Sequence, residues 1–190
     1  MYVEQRLSDF LELVADRSPA PGGGAVAAVT ASLSANLVTM AARYSADRLT
    51  RGDSLVDEVA ALGRRAEALA DEDAAAYSAV LVARAASDQP AVVGEALLRA
   101  TEVPLEIAEI AAAIAQLAAE VHREGRADLR GDAATALLLA EGATRAAANL
   151  VEINVDAGGG SRDLVSRGRV AIATARAARN LAGRVPVQTH

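Results

Sequence analysis

The chain has 190 residues, 52% of them hydrophobic but only 2% aromatic, with no Cys, no Trp and a net charge of −6. All 19 basic residues are Arg, which excludes lysine Schiff bases and P-loop lysines, and the absence of Cys excludes thiolate nucleophiles, cysteine-zinc sites and disulfides. The acidic balance argues against nucleic acid or an anionic membrane as partner, and the length suits a single domain, 1–190, with its own core.

Ala fills about a quarter of the positions, and it is the best helix former because it loses no side-chain entropy on ordering. Apolar residues recur at helical spacing, as at Ala108, Ala112, Ile114, Leu117, Ala118 and Val121, and no strand-like alternation of comparable length is found. Six helices are expected, over 2–16, 24–46, 54–87, 91–123, 132–156 and 161–183. Ser18-Pro19-Ala20-Pro21 and Gly22-Gly23-Gly24 end the first and open the second. Asp53 can cap the third, and Pro90 sits where a first-turn proline is tolerated. Pro104 removes a backbone hydrogen bond inside the fourth and should kink it. Gly125 ends the fourth, Asp132 can cap the fifth, and Gly158-Gly159-Gly160 separates it from a sixth capped by Ser161.

The fold class is therefore all-α, an antiparallel bundle of about six helices. Small side chains bury little area each, so the helices must approach closely, and pairing with a second copy would add burial. A homodimer is expected. No charge-free apolar run is read as reaching the ~18–20 residues of a membrane span, and MYVEQRLSDF lacks a signal-peptide pattern. With the missing cysteines, this points to a cytoplasmic protein with no membrane partner.

Three segments can carry chemistry. Pro21-Gly22-Gly23-Gly24 exposes backbone N–H groups where a helix begins, which suits a carboxylate or phosphate; the plain alternative is a flexible turn with close helix packing. In Asp71-Glu72-Asp73-Ala74-Ala75-Ala76-Tyr77, Asp73 and Tyr77 lie four apart on one helix face, where a carboxylate and a phenol can orient the protons of a heteroaromatic ligand. Acidic residues on helices are also ordinary solvated faces. Asn149 and Asn154, with Glu152 between them, sit on an otherwise apolar helix, where a buried amide needs a network or a ligand. Glu102 and Glu106 flank Pro104 and read as exposed carboxylates. Glu120 and His122 lack the di-iron spacing, and no metal is assigned.

Taken in order, Pro21–Ala28, Leu37-Val38-Thr39-Met40, Asp71–Tyr77, Val103-Pro104-Leu105 and Asn149-Leu150-Val151-Glu152-Ile153-Asn154 resemble the formiminotransferase-cyclodeaminase C-terminal domain family. The resemblance runs from about residue 4 to 180 and implies an all-helical, dimeric, folate-dependent protein with a tetrahydrofolate derivative as substrate. It implies chemistry on a carbon bridging N5 and N10. Water adds to the methenyl carbon in a cyclohydrolase; N10 attacks the formimino carbon and ammonia leaves in a cyclodeaminase. Both need one proton shuttle and neither needs Cys, Lys or a metal.

Cyclohydrolase is the leading reading because no transferase domain is attached. The alternatives are cyclodeaminase, a cyclase for another substrate, or a non-catalytic ligand-binding member. On the resemblance, Asp132 is the first choice for a polar contact or proton shuttle, with Asp73 and Tyr77 next. Pro21, Gly22, Gly23 and Gly24 would hold a folate carboxylate or carbonyl, and Asn149 and Asn154 would complete pterin recognition. The chain departs from the family pattern at Ala25 and Gly131, where hydroxyl residues are usual, and at a basic cluster represented only by Arg48 and Arg51.

Overall fold

A computed structural model describes residues 1–86 and 90–183. It contains six α-helices: α1 (Leu7–Ala15), α2 (Gly23–Tyr44), α3 (Gly52–Ala86), α4 (Pro90–Glu124), α5 (Arg130–Asp156) and α6 (Arg162–Ala182). Short 3-10 turns at Tyr2–Glu4 and Ala127–Leu129 complete the described elements, and no strand occurs among the described residues.

The five long helices alternate in direction. Gly23 faces Leu150 while the Ser34 hydroxyl donates to the Ala136 carbonyl, so α2 and α5 run antiparallel. α4 lies in the middle, against α2, α3, α5 and α6. Its Val103, Ile107, Ile114 and Val121 are fully or almost fully buried, with Ala111, Ala115 and Ala118 at zero exposure between them. This is how an alanine-rich core fills space: large residues on one helix meet methyl groups on the next. The close approach is visible at Gly63, where an added Cβ would come within 3.1 Å of the Ala35 Cβ.

The six helices form close to where the sequence places them, with differences at the N-terminus, at three caps and in α2. The expected helix 2–16 is broken, because Gln5 is extended and the chain turns before α1. Tyr2 is drawn down by its N–H bond to Asp71 (3.2 Å) and its ring meets Phe10 at 5.6 Å. The caps differ as well. α3 starts at Gly52, so Asp53 lies inside its first turn. Because the 3-10 turn at Ala127–Leu129 runs directly into α5, Leu129 takes the cap position and Asp132 falls within the helix. Ser161 occupies the N-cap of α6 but makes no side-chain cap bond.

The last difference concerns α2. Gly23–Tyr44 is long and apolar enough to cross a membrane, contrary to the reading that no such run exists, and most of it is buried against neighbouring helices. An interior helix of a bundle meets the same length and hydropathy criteria as a span.

Candidate functional site

The segment Ser18–Gly22 leads into α2 without supplying a cap: Gly22 stands at the N-cap and has no side chain to offer. The missing acceptor comes from α3. Asp73 Oδ2 accepts the N–H of Ala25 at 3.0 Å, so a carboxylate from the next helix, 48 residues on in sequence, closes the first turn of α2. Gly24 makes this approach possible, since a Cβ there would overlap the Asp73 carboxyl group. Ala25 itself is fully buried and contributes its N–H, not its side chain.

A cleft of about 330 Å³ opens beside this contact, lined by Gly22, Gly23, Gly24, Asp73, Tyr77 and Asn154 among its polar and flexible groups. Leu150 and Ile153 of α5, with Ala100 and Pro104 of α4, make its apolar wall. Tyr77 stands one turn beyond Asp73 and remains 46% exposed, leaving its ring free at the rim. Burial raises the Asp73 carboxyl above the ordinary carboxylate range, and the Ala25 N–H opposes that shift.

The three consecutive acids go three ways. Asp71 accepts from the Tyr2 backbone. Glu72 turns outward to Arg65 and Arg99, and the hydrogen bond from Arg65 holds it below its usual range. Only Asp73 reaches the cleft. Glu106 is bidentate to Arg65 (2.6 and 2.8 Å) and Glu102 lies 3.6 Å from Arg99, so both carboxylates flanking Pro104 belong to an outer ion-pair network.

The structure thus brings together Asp73, Tyr77, Gly22, Gly23, Gly24 and Asn154. Pro21 is buried and is not among the residues that line the cleft. Asn149 faces a different recess, with Arg145, Glu152 and Arg169 between α5 and α6. Asp132 lies 22 residues before Asn154 on α5, about 33 Å along the axis at 1.5 Å per residue. It belongs to the other end of the bundle, as does the exposed Tyr44. A recess of about 390 Å³ between α4 and α6 contains Glu109 and Arg167, but these already pair at 3.0 Å. No group of three or more His, Asp or Glu side chains converges to hold a metal among the described residues.

Sequence reasoning missed the Ala100 carbonyl, Leu150 and Ile153. The first had a signal, because Pro104 leaves the carbonyl four residues earlier without its helical donor. Asn154 Nδ2 fills that vacancy, donating to the Ala100 oxygen at 2.6 Å.

The family described as formiminotransferase-cyclodeaminase matches residues 6–158. A methenyltetrahydrofolate cyclohydrolase from Methylorubrum extorquens is 30% identical over 174 residues, covering 79% of each chain. The crystal structure of a formiminotetrahydrofolate cyclodeaminase from Thermotoga maritima superposes with a TM-score of 0.89 at 21% identity, covering 97% of this chain and 96% of that one. The last comparison establishes the fold, and the first two establish kinship: the chain belongs to the formiminotransferase-cyclodeaminase family.

Proposed function

We propose that the protein is a cytoplasmic folate enzyme that hydrolyses 5,10-methenyltetrahydrofolate to 10-formyltetrahydrofolate in the Asp73–Tyr77–Asn154 cleft. The observation that carries this reading is the poorly solvated Asp73 carboxyl group at the cleft wall, in a chain related to a cyclohydrolase. The substrate is a cation whose charge is shared by N5, N10 and the carbon between them. An ionised carboxylate in a low-dielectric recess attracts that cation, and the cation in turn favours the ionised acid.

Water then adds to the bridging carbon. The new C–O bond forms as Asp73 takes one water proton, giving a neutral hydroxy adduct. In the second step the adduct loses its hydroxyl proton and N5 gains one, the C–N5 bond breaks, and the formyl group stays on N10. One proton is released overall, and a single carboxyl group can serve both transfers. Tyr77 offers an aromatic face at the rim for the flat ring, and the free N–H groups of the glycine loop suit a carbonyl or carboxylate of the substrate. The test is the loss of methenyltetrahydrofolate absorbance with purified protein. The expected result is turnover well above spontaneous hydrolysis; a rate equal to the buffer blank would overturn the reading. Ammonia release from 5-formiminotetrahydrofolate would instead assign the cyclodeaminase reaction, which the structural likeness to that enzyme class keeps in view.

Asp132 enters this reading through dimerisation. The outer face of α2 presents Val26, Thr30, Leu33, Leu37 and Met40, and no charged residue occurs from Gly23 to Ala42. Leu33 is 59% exposed, as is Leu138 (58%) on α5, and Thr135, Gly142 and Ala146 continue that uncharged outer face. An exposed uncharged stripe of this length supports pairing with a second copy. A two-fold axis crossing near Gly142, midway along α5, would run the two copies antiparallel and carry Asp132 of the partner subunit toward the Asn154 end of this chain. Light scattering is expected to give twice the 19.4 kDa chain mass for wild type. Leu33→Glu is expected to yield monomers with little activity. A wild-type monomer would refute the dimer and remove Asp132 from the site.

A further inference from the structure

Pro104 and Asn154 belong to different helices but act on one atom. Pro104 is fully buried in α4 and has no N–H, so the Ala100 carbonyl lacks its helical donor. A buried carbonyl without a donor is costly, and Asn154 Nδ2 supplies one at 2.6 Å. A carbonyl oxygen only accepts, so the amide nitrogen, and not the amide oxygen, must face Ala100.

The backbone of Asn154 is fixed by the following turn. Its carbonyl accepts the Gly159 N–H at 2.8 Å, and Gly159 is pressed so closely on α4 that a Cβ would lie 2.6 Å from the Leu97 carbonyl. Gly158 and Gly160, at φ +102° and +105°, supply the left-handed conformations that bring the chain in. Asn154 also lines the cleft, and no protein donor reaches its Oδ1 among the described residues.

We propose that Pro104 and Asn154 together set the hydrogen-bond polarity of the cleft: the Ala100 carbonyl holds the amide nitrogen, and the Asn154 Oδ1 is presented to the ligand as an acceptor that selects a ring edge bearing N–H groups. This deepens the folate reading and rests on it, since the aminopyrimidinone edge of a pterin carries an amino group and a ring N–H side by side. Asn154 is a binding residue here. Pro104 is a positioning residue that acts through it.

A double-mutant cycle with folic acid as the probe tests the proposal. Asn154→Ser is expected to weaken binding by about 10–100-fold, the loss expected for an unmet buried hydrogen bond. Pro104→Ala returns an N–H to the Ala100 carbonyl and frees the amide to turn, so it is expected to weaken binding by about 3–10-fold while the helix gains a bond. The double variant is expected to bind no more weakly than Asn154→Ser. In parallel, NMR is expected to show the Asn154 side-chain NH2 protons exchanging slowly in wild type and faster in Pro104→Ala, with the signals assigned by their loss in Asn154→Ser. Additive losses in the cycle, or a rapidly exchanging wild-type amide, would overturn the proposal. If wild type fails to bind folic acid while the amide stays protected, the folate reading falls, and selection of a pterin edge falls with it.

Discussion

Asp73→Asn is expected to lower kcat by about 10²–10⁴-fold, the usual contribution of a positioned proton-transfer group, while the protein stays folded. The substitution separates two jobs that one side chain performs. The amide oxygen of Asn can still accept the Ala25 N–H, now 3.0 Å from Asp73 Oδ2, so the first turn of α2 keeps its cap. What is lost is the ability to take a proton from water and return it to N5. Asp73→Ala would lose both, and a fall in activity with a fall in stability would not tell them apart.

The pH dependence of stability sharpens the same comparison. Burial raises the folded-state pKa of Asp73 above its unfolded value of about 3.9. The folded protein therefore favours the protonated acid. That stabilisation is present in full below the unfolded pKa and is lost as pH rises through the folded value. Asn does not titrate, so the stability of Asp73→Asn relative to wild type is expected to increase across that mildly acidic interval and then level off. Denaturant midpoints measured from pH 3 to pH 7 would check this. Retention of wild-type kcat in the variant would remove Asp73 from the chemistry and leave it a helix cap.

The helices were legible in the sequence because local rules decide them. Alanine propensity, a proline-glycine break and a triple glycine act over a few residues, and α2 through α6 begin and end within a few positions of where those signals lie. The site was legible only where it is local as well. Asp73 and Tyr77 share a face by spacing alone. Nothing in Asp71-Glu72-Asp73 says which carboxylate turns inward; that depends on Arg65 and Arg99 lying ready for Glu72 and on the Tyr2 backbone reaching Asp71. Asn149 and Asn154 looked equivalent on one helix, yet five residues turn them about 140° apart, and only the second meets α4. Asp132 shows the same limit at longer range. Its distance from the cleft follows from the rigid length of α5, and under the proposed dimer the residue would reach the site only from the partner subunit.

The triple glycine reads as one feature but divides on inspection, and Gly24→Ala is expected to be the variant that exposes the difference. A Cβ at Gly22 would meet nothing within 4 Å, and at Gly23 it would only touch Leu150 at 3.8 Å. At Gly24 it would overlap the carboxyl group of Asp73. Asp is too short to bend away while keeping its bond to the Ala25 N–H, so the cap must break. Loss of a cap costs about 1 kcal/mol and overpacking about 1–3, against a return of up to about 1 from replacing Gly with Ala in a helix. Gly24→Ala is therefore expected to be about 1–3 kcal/mol less stable than wild type, and to lose activity because Asp73 has moved. Gly23→Ala is expected to match or slightly exceed wild-type stability. Shortening the opposing side chain should relieve the overlap, so the double variant Gly24→Ala/Asp73→Ala is expected to be more stable than the sum of the two single losses, by about 1–2 kcal/mol. Urea denaturation of the four proteins measures this coupling directly. Equal stability of Gly24→Ala and Gly23→Ala would mean that α3 can yield at Asp73, and that the close approach of Asp73 to the start of α2 is not what shapes the cleft.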